Sequence, residues 1–117
     1  MIYSVRGKVI YTDSFKAVAV IECAGVGYEC RTTLNTLQAI AGKDEAMLLT
    51  HLSVREDAVE LFGFATKEEL EAFRMLISVS GVGPKAATAI LSSLTPSAFA
   101  LAVATGDTKA FTSVKGI

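Results

Sequence analysis

The sequence predicts an α+β chain in which five β-strands precede a run of helices, and three observations carry that prediction. Apolar residues alternate with a period of two through most of the chain up to Phe64. From Thr66 onward they recur at three- and four-residue spacing instead. The strand half is interrupted once, by a short helix-spaced segment between the third and fourth strands. The boundary predicted from this switch gives a domain over residues 1–64 and a second over 65–117.

Residues 2–12 form the first predicted strand. Tyr3, Val5, Gly7, Val9 and Tyr11 lie on one face, and Ser4, Arg6 and Lys8 on the other. A second strand, rich in Val and Ile, runs from Lys16 to Ala24. Gly25-Val26-Gly27 supplies the turn, because glycine adopts positive φ without steric cost. Tyr28 to Thr32 returns as the third strand. Leu34, Leu37, Ile40 and Ala41 then mark a short helix, with Thr33 as N-cap and Gly42 as its stop. Strand pattern resumes over Ala46–Leu52 and again over Ala58–Phe64, separated by the polar tip Ser53-Val54-Arg55-Glu56-Asp57. Three strands, one helix and two strands is the order of a five-stranded OB-fold β-barrel, a platform often used for nucleic acids.

The helical half opens with Thr66 and Glu69, spaced as a capping box. Leu70, Phe73, Leu76 and Ile77 make the apolar stripe of the first helix, which is predicted to stop at Ser80-Gly81. Pro84 suits the first turn of the next helix, which carries Ala86, Ala87, Ile90, Leu91 and Leu94. A third helix is expected from Thr95-Pro96 with Phe99 and Val103, and a fourth, capped by Asp107 or Thr108, with Phe111 and Val114.

Charge excludes little. Eleven basic and twelve acidic residues give a net charge of −1, without the positive field of many nucleic-acid binders. Residues 1–63 carry six basic and eight acidic groups, and residues 64–117 five and four. DNA contact would have to come from local geometry. No apolar run approaches the ~20 residues of a membrane span. The N-terminus opens directly into a strand pattern with no secretory signal, and a cytoplasmic setting is expected. Cys23 and Cys30 are expected to be free thiols, able to face each other across the hairpin. With His51 they do not make a metal site.

The most informative segment is Gly81-Val82-Gly83-Pro84-Lys85 between two helices. Two glycines let the backbone bend tightly and bring its amides close to a ligand. The helix that follows adds unsatisfied N–H groups and the positive end of its dipole, which together suit a phosphate oxygen. Val82 would anchor the turn in the core and Lys85 would add a cation. A plain helix–helix turn with glycine as the stop remains open on these residues alone. A P-loop or a dinucleotide fingerprint does not fit, because Gly81 follows a helix instead of a strand. Val114-Lys115-Gly116-Ile117 repeats the start of Ser80-Gly81-Val82, as one half of a paired motif. The tip Arg55-Glu56-Asp57 reads as a solvated turn. As a carboxylate pair it would fit a metal-dependent nuclease only if further acidic residues completed the site.

The stretches Gly25-Val26-Gly27-Tyr28-Glu29, Thr50-His51 with Val54-Arg55-Glu56-Asp57, Leu61-Phe62-Gly63-Phe64 and Gly81-Val82-Gly83-Pro84-Lys85 resemble the RuvA family along the whole chain. Its members are the Holliday-junction-binding subunits of the bacterial branch migration complex. The resemblance implies a barrel followed by a helix-hairpin-helix domain, and a four-fold symmetric homotetramer that holds a four-way junction open and flat. It also implies a role in recombination, DNA repair and the SOS response to DNA damage. The RuvB ATPase would be the motor partner; no membrane, metal, cofactor, small-molecule substrate or catalysis by this chain is implied. Carried over by position, Ser80, Gly81, Gly83 and Lys85 match a phosphate-binding hairpin, and Lys115 and Gly116 the opening of a second. Glu56 and Asp57 match an acidic pin that repels phosphates at the junction centre, and Arg55 would attract them. The family also has the remainder of the second hairpin, a mobile linker and a C-terminal domain that engages RuvB. A truncated form or a proteolytic fragment is therefore expected.

Two other classes compete with this reading. A metal-dependent junction nuclease would use Glu56 and Asp57 and cleave a labelled junction in Mg²⁺. A single-strand-binding OB module would need exposed aromatic stacking positions. The chain has no Trp, and Tyr3, Tyr11 and Tyr28 fall mostly in apolar registers.

Overall fold

The computed structural model describes residues 1–94 together with Ala98 and Leu101. Of the expected third helix only Ala98 and Leu101 are described, both helical; the expected fourth helix, and the half-motif at Lys115 and Gly116, lie outside the described residues. The chain divides into two compact units, the first spanning Met1–Leu70 and the second starting at Glu71.

The first unit is a closed barrel. Its strands are β1 (Ser4–Asp13), β2 (Val18–Cys23), β3 (Val26–Arg31), β4 (Glu45–Val54) and β5 (Val59–Phe64), with helix α1 (Leu34–Ile40) between β3 and β4. Strand order around the barrel is β1-β2-β3-β5-β4, closed by β4 against β1. All pairings are antiparallel except β3 with β5, where Cys30 meets Leu61 and Arg31 meets Phe62. β1 serves two neighbours, pairing Ser4–Lys8 with β4 and Lys8–Asp13 with β2. Its register with β2 shifts between Val9 and Tyr11, a bulge that bends the strand from one partner to the other. The predicted apolar face of β1 is only partly buried: Val5 is buried as expected, but Tyr3, ahead of the strand, and Tyr11, at the register shift, are 65% and 51% exposed.

The β2–β3 turn also differs from expectation. It is made by Ala24 and Gly25, both at positive φ (50° and 84°), and Val26 and Gly27 already belong to β3. Two successive positive φ values fit a two-residue hairpin, because that twist matches the twist of the flanking strands. Cys23 and Cys30 consequently do not face each other: Cys23 pairs with Val26 and Cys30 with Ala19. Both are free, as expected.

The barrel interior is filled by Val5, Ala19, Ile21, Cys30 and Leu48, with Leu37 and Ile40 of α1 packed into the same cluster. Thr33 caps α1 as predicted, its hydroxyl accepting from the Thr36 amide at 3.1 Å. A β-carbon on Gly63 would meet Leu48 and Cys30 at 3.0–3.1 Å, so Gly63 faces the interior. By strand alternation Glu60, Phe62 and Phe64 point to the opposite face of β5.

Helix α2 (Lys67–Ile77) begins in the first unit. The Thr66 hydroxyl accepts from the Glu69 amide at 3.2 Å, which is one half of the predicted capping box. The other half is replaced. The Glu69 carboxylate accepts from the Thr33 hydroxyl at 2.8 Å and the Thr36 hydroxyl at 2.5 Å, and Thr36 in turn accepts from the Ala65 amide at 2.9 Å. Glu69 is only 4% exposed, and a buried carboxylate gains more from two hydroxyl donors than from one amide at a helix end.

In the second unit Ala72, Phe73 and Leu76 of α2 are buried, while Ile77 is half-buried. The helix ends at Ile77, short of the expected Ser80-Gly81. Its last amides turn inward: Ser78 bonds both Arg74 and Met75 carbonyls at 3.2 Å, and Val79 bonds Leu76 at 3.0 Å. Such three-residue-back bonds tighten and close a helix. Helix α3 (Pro84–Ser93) starts at Pro84 as predicted and buries Ala87, Ile90 and Leu91.

Candidate nucleic-acid interface

The turn between α2 and α3 is built around Val82, which is 6% exposed and whose amide bonds the Val79 carbonyl at 3.1 Å. The anchoring role expected of Val82 matches its burial. On either side stand Gly81 and Gly83, both exposed. They differ in backbone. Gly81 has φ +87°, a left-handed conformation that a side chain disfavours. Gly83 is the N-cap of α3 at φ −88°, ψ 172°, ordinary extended backbone with no side-chain cap. Around both, a β-carbon would meet nothing within 4 Å.

The helical bonds of α3 begin with the Ala87 amide on the Gly83 carbonyl at 3.0 Å. The amides of Lys85 and Ala86 therefore belong to the first turn, where no carbonyl four residues back continues the helix. Pro84 contributes no donor and fixes φ for the helix start. Lys85 is exposed in this turn, as is Ser80 just ahead of it. Backbone donors, a helix dipole and one cation thus converge on an open surface. That arrangement suits an oxyanion.

The second group of expected site residues is in the barrel unit, at the tip between β4 and β5. Arg55 and Ala58 bond each other through their backbones, the Arg55 amide at 2.8 Å and the Ala58 amide at 3.4 Å. Glu56 and Asp57 are left as an exposed two-residue loop. The Arg55 guanidinium does not extend past this tip. It donates to Glu60 Oε1 at 2.7 Å, and the other oxygen of Glu60 pairs with Arg31 Nε at 2.5 Å. Arg31 and Glu60 were not singled out from the sequence. Glu60 could have been, since it sits opposite Ser53 on the same hairpin. Arg31 could not, because only the parallel β3–β5 pairing brings it there.

The remaining candidates do not form a site. His51 is half-buried in β4 opposite Phe62. Burial pushes the Cys30 thiol up to about 12, with the neighbouring Cys23 and Glu29 adding to the shift. The Cys23 thiol donates to the Arg6 carbonyl at 2.9 Å. Among the described residues no three metal-ligating side chains are grouped, and no helix is long and apolar enough to cross a membrane.

A closed five-stranded barrel followed by two helices joined through a Gly-Val-Gly turn defines an OB-fold protein with a helix-hairpin-helix domain. Residues 1–63 match the family model described as the RuvA N terminal domain, and residues 73–117 match that of a SAM-like helix-hairpin-helix tandem. The chain belongs to the RuvA family. Among curated relatives, a protein of Acetivibrio thermocellus is 46% identical over 97% of this chain and 55% of its own length. One of Rubrobacter xylanophilus is 46% identical over 100% of the chain and 59% of its own length. One of Corynebacterium efficiens is 47% identical over 100% and 56%. All three are named Holliday junction branch migration complex subunit RuvA. The chain spans somewhat more than half the length of these relatives.

Proposed function

We propose that the chain binds four-way DNA junctions as a non-catalytic subunit of a branch migration complex acting in recombination, repair and the SOS response. Gly83 carries this reading. Its backbone is ordinary and the space around its β-carbon position is empty, so neither a positive φ nor a close contact within the described chain requires glycine there. A glycine at this N-cap leaves the first-turn amides open to a ligand from outside, and a DNA phosphate fits the donors on offer.

In this reading the amides following Gly81 and Gly83 hold a phosphate oxygen, with Lys85 and the Ser80 hydroxyl beside it. Lys115 and Gly116, outside the described residues, would add a second phosphate contact of the same kind. Such contacts grip the backbone of the arms without reading sequence. Four copies, arranged as a homotetramer, bring their β4–β5 tips together at the crossover. There Glu56 and Asp57 repel phosphates and favour separated strands, while Arg55 draws the backbone in. The RuvB ATPase supplies the motor, in the cytoplasm, and this chain supplies geometry alone.

Light scattering of the chain with and without a synthetic four-way junction tests the reading. A mass equal to four chains plus one junction, or a multiple of it, is expected, with junction preferred over linear duplex of equal length. Equal affinity for the two DNAs would rule the function out.

A further inference from the structure

We propose that Arg31, the last residue of β3, is a further DNA-contacting residue beside the β4–β5 hairpin, set next to Arg55 by the shared Glu60 carboxylate; this rests on the pin reading above. The observation is one carboxylate with a guanidinium on each oxygen: Arg31 Nε at 2.5 Å on Oε2, and Arg55 Nη2 at 2.7 Å on Oε1. Glu60 is the most covered of the three, its side chain 16% exposed, whereas the arginine side chains keep 43% and 48% exposure. The carboxylate is therefore the inner partner and the guanidiniums are the outer ones.

Three consequences point to a phosphate. First, a guanidinium has five N–H donors in a planar fork, so one bond to Glu60 leaves donors for a second oxyanion. Second, the arginines are already held in one geometry, and less side-chain freedom is lost when a ligand arrives. Third, two guanidiniums and one carboxylate carry a net positive charge, next to a tip that carries the exposed pair Glu56 and Asp57. A strand repelled by the tip meets a cationic surface on the flank of the same hairpin. Glu60 points away from the barrel interior, on the face of β5 opposite Gly63, so the triad lies on the outside of the barrel. A DNA backbone phosphate is the ligand class that matches this forked, net cationic edge.

The test titrates the chain with a four-way junction across a salt series, comparing the parent with Arg31→Gln, Arg31→Lys and the pin variant Glu56→Gln/Asp57→Asn. Thermal melts of each variant fix a temperature at which all are folded. Arg31→Gln is expected to weaken junction binding about tenfold at low salt and to flatten log K against log salt by ~0.9, the loss of one phosphate contact. Arg31→Lys, which keeps the charge, should keep the parent slope. An ion pair of purely structural value would move the melting temperature and leave the slope alone. An Arg31→Gln variant with parent affinity and slope overturns the proposal. If the pin variant still shifts the junction-to-duplex ratio in that case, the pin reading survives. If it does not, both fall together.

Discussion

Thr33, the N-cap of α1, donates its hydroxyl to the carboxylate of Glu69 in the first turn of α2, joining two helix starts 36 residues apart. The same carboxylate takes the Thr36 hydroxyl, so one buried side chain satisfies both threonines. Glu69→Ala leaves those two buried hydroxyls without an acceptor. A loss of about 2–4 kcal/mol of folding stability is expected. Glu69→Gln keeps one carbonyl acceptor and should cost less. Urea denaturation of both variants checks the order; equal costs would mean that the acceptor Gln retains contributes nothing.

The two turn glycines should separate stability from binding. Gly83→Thr places a residue that can cap a helix at an N-cap with compatible backbone and open space, so stability is expected to hold or to rise by roughly a few tenths of a kcal/mol. Junction binding should nevertheless weaken, because the new side chain stands where the phosphate approaches. Gly81→Ala is strained at φ +87° and is expected to cost about 1 kcal/mol or more. A Gly83→Thr variant that binds junction as well as the parent would remove the main support for the phosphate site.

Neutralising the tip should leave the fold alone. Glu56 and Asp57 are exposed, and Glu56→Gln/Asp57→Asn is expected to change stability by at most ~0.5 kcal/mol. Affinity should rise and the preference for junction over duplex should shrink, as like charge is removed near crowded phosphates. Competition binding at low salt measures that ratio, and an unchanged ratio would end the pin's role in selectivity.

The Cys30 thiol supplies a pH prediction. Its folded value, raised to about 12, lies above the ordinary thiol value of about 8.5. Between those two the unfolded chain has lost the proton that the folded chain keeps. Stability contributed by the protonated thiol is fully present below about 8.5 and falls as pH rises toward 12. At pH 8, alkylation of Cys23 should run well ahead of alkylation of Cys30 in the folded protein; equal rates would contradict the buried thiol.

Much of this architecture was legible because it is local. The period-two pattern, Thr33 before a helix, and Pro84 at a helix start each depend on residues within one turn or strand. The misplaced details depend on partners far away. Ala24 carries no sign of positive φ, so the turn was expected one residue late, on Gly25-Val26-Gly27. Tyr3 and Tyr11 follow the apolar alternation, but Tyr3 lies ahead of β1 and Tyr11 at its register shift, and both are exposed. Glu69 looked like half of a capping box because Thr66 is near in sequence, while Thr33 and Thr36 are near only in space. The Arg31–Glu60–Arg55 triad stayed hidden for the same reason, since it needs the parallel pairing of β3 with β5.

That parallel pairing has a further consequence for the order in which the chain folds. β1, β2 and β3 are joined by short turns and can meet early, whereas Cys30 meets Leu61 and Ser4 meets Leu49 only after long loops have closed. Pulse-labelled amide exchange should find β2 protected before Leu61 and Phe62. A chain leaving the ribosome cannot close the ring until β5 has emerged, and cannot satisfy Thr33 and Thr36 until Glu69 follows. The barrel is thus completed by the first turn of the helical region, and a chain halted at Phe64 would hold all five strands with two buried hydroxyls still lacking their carboxylate.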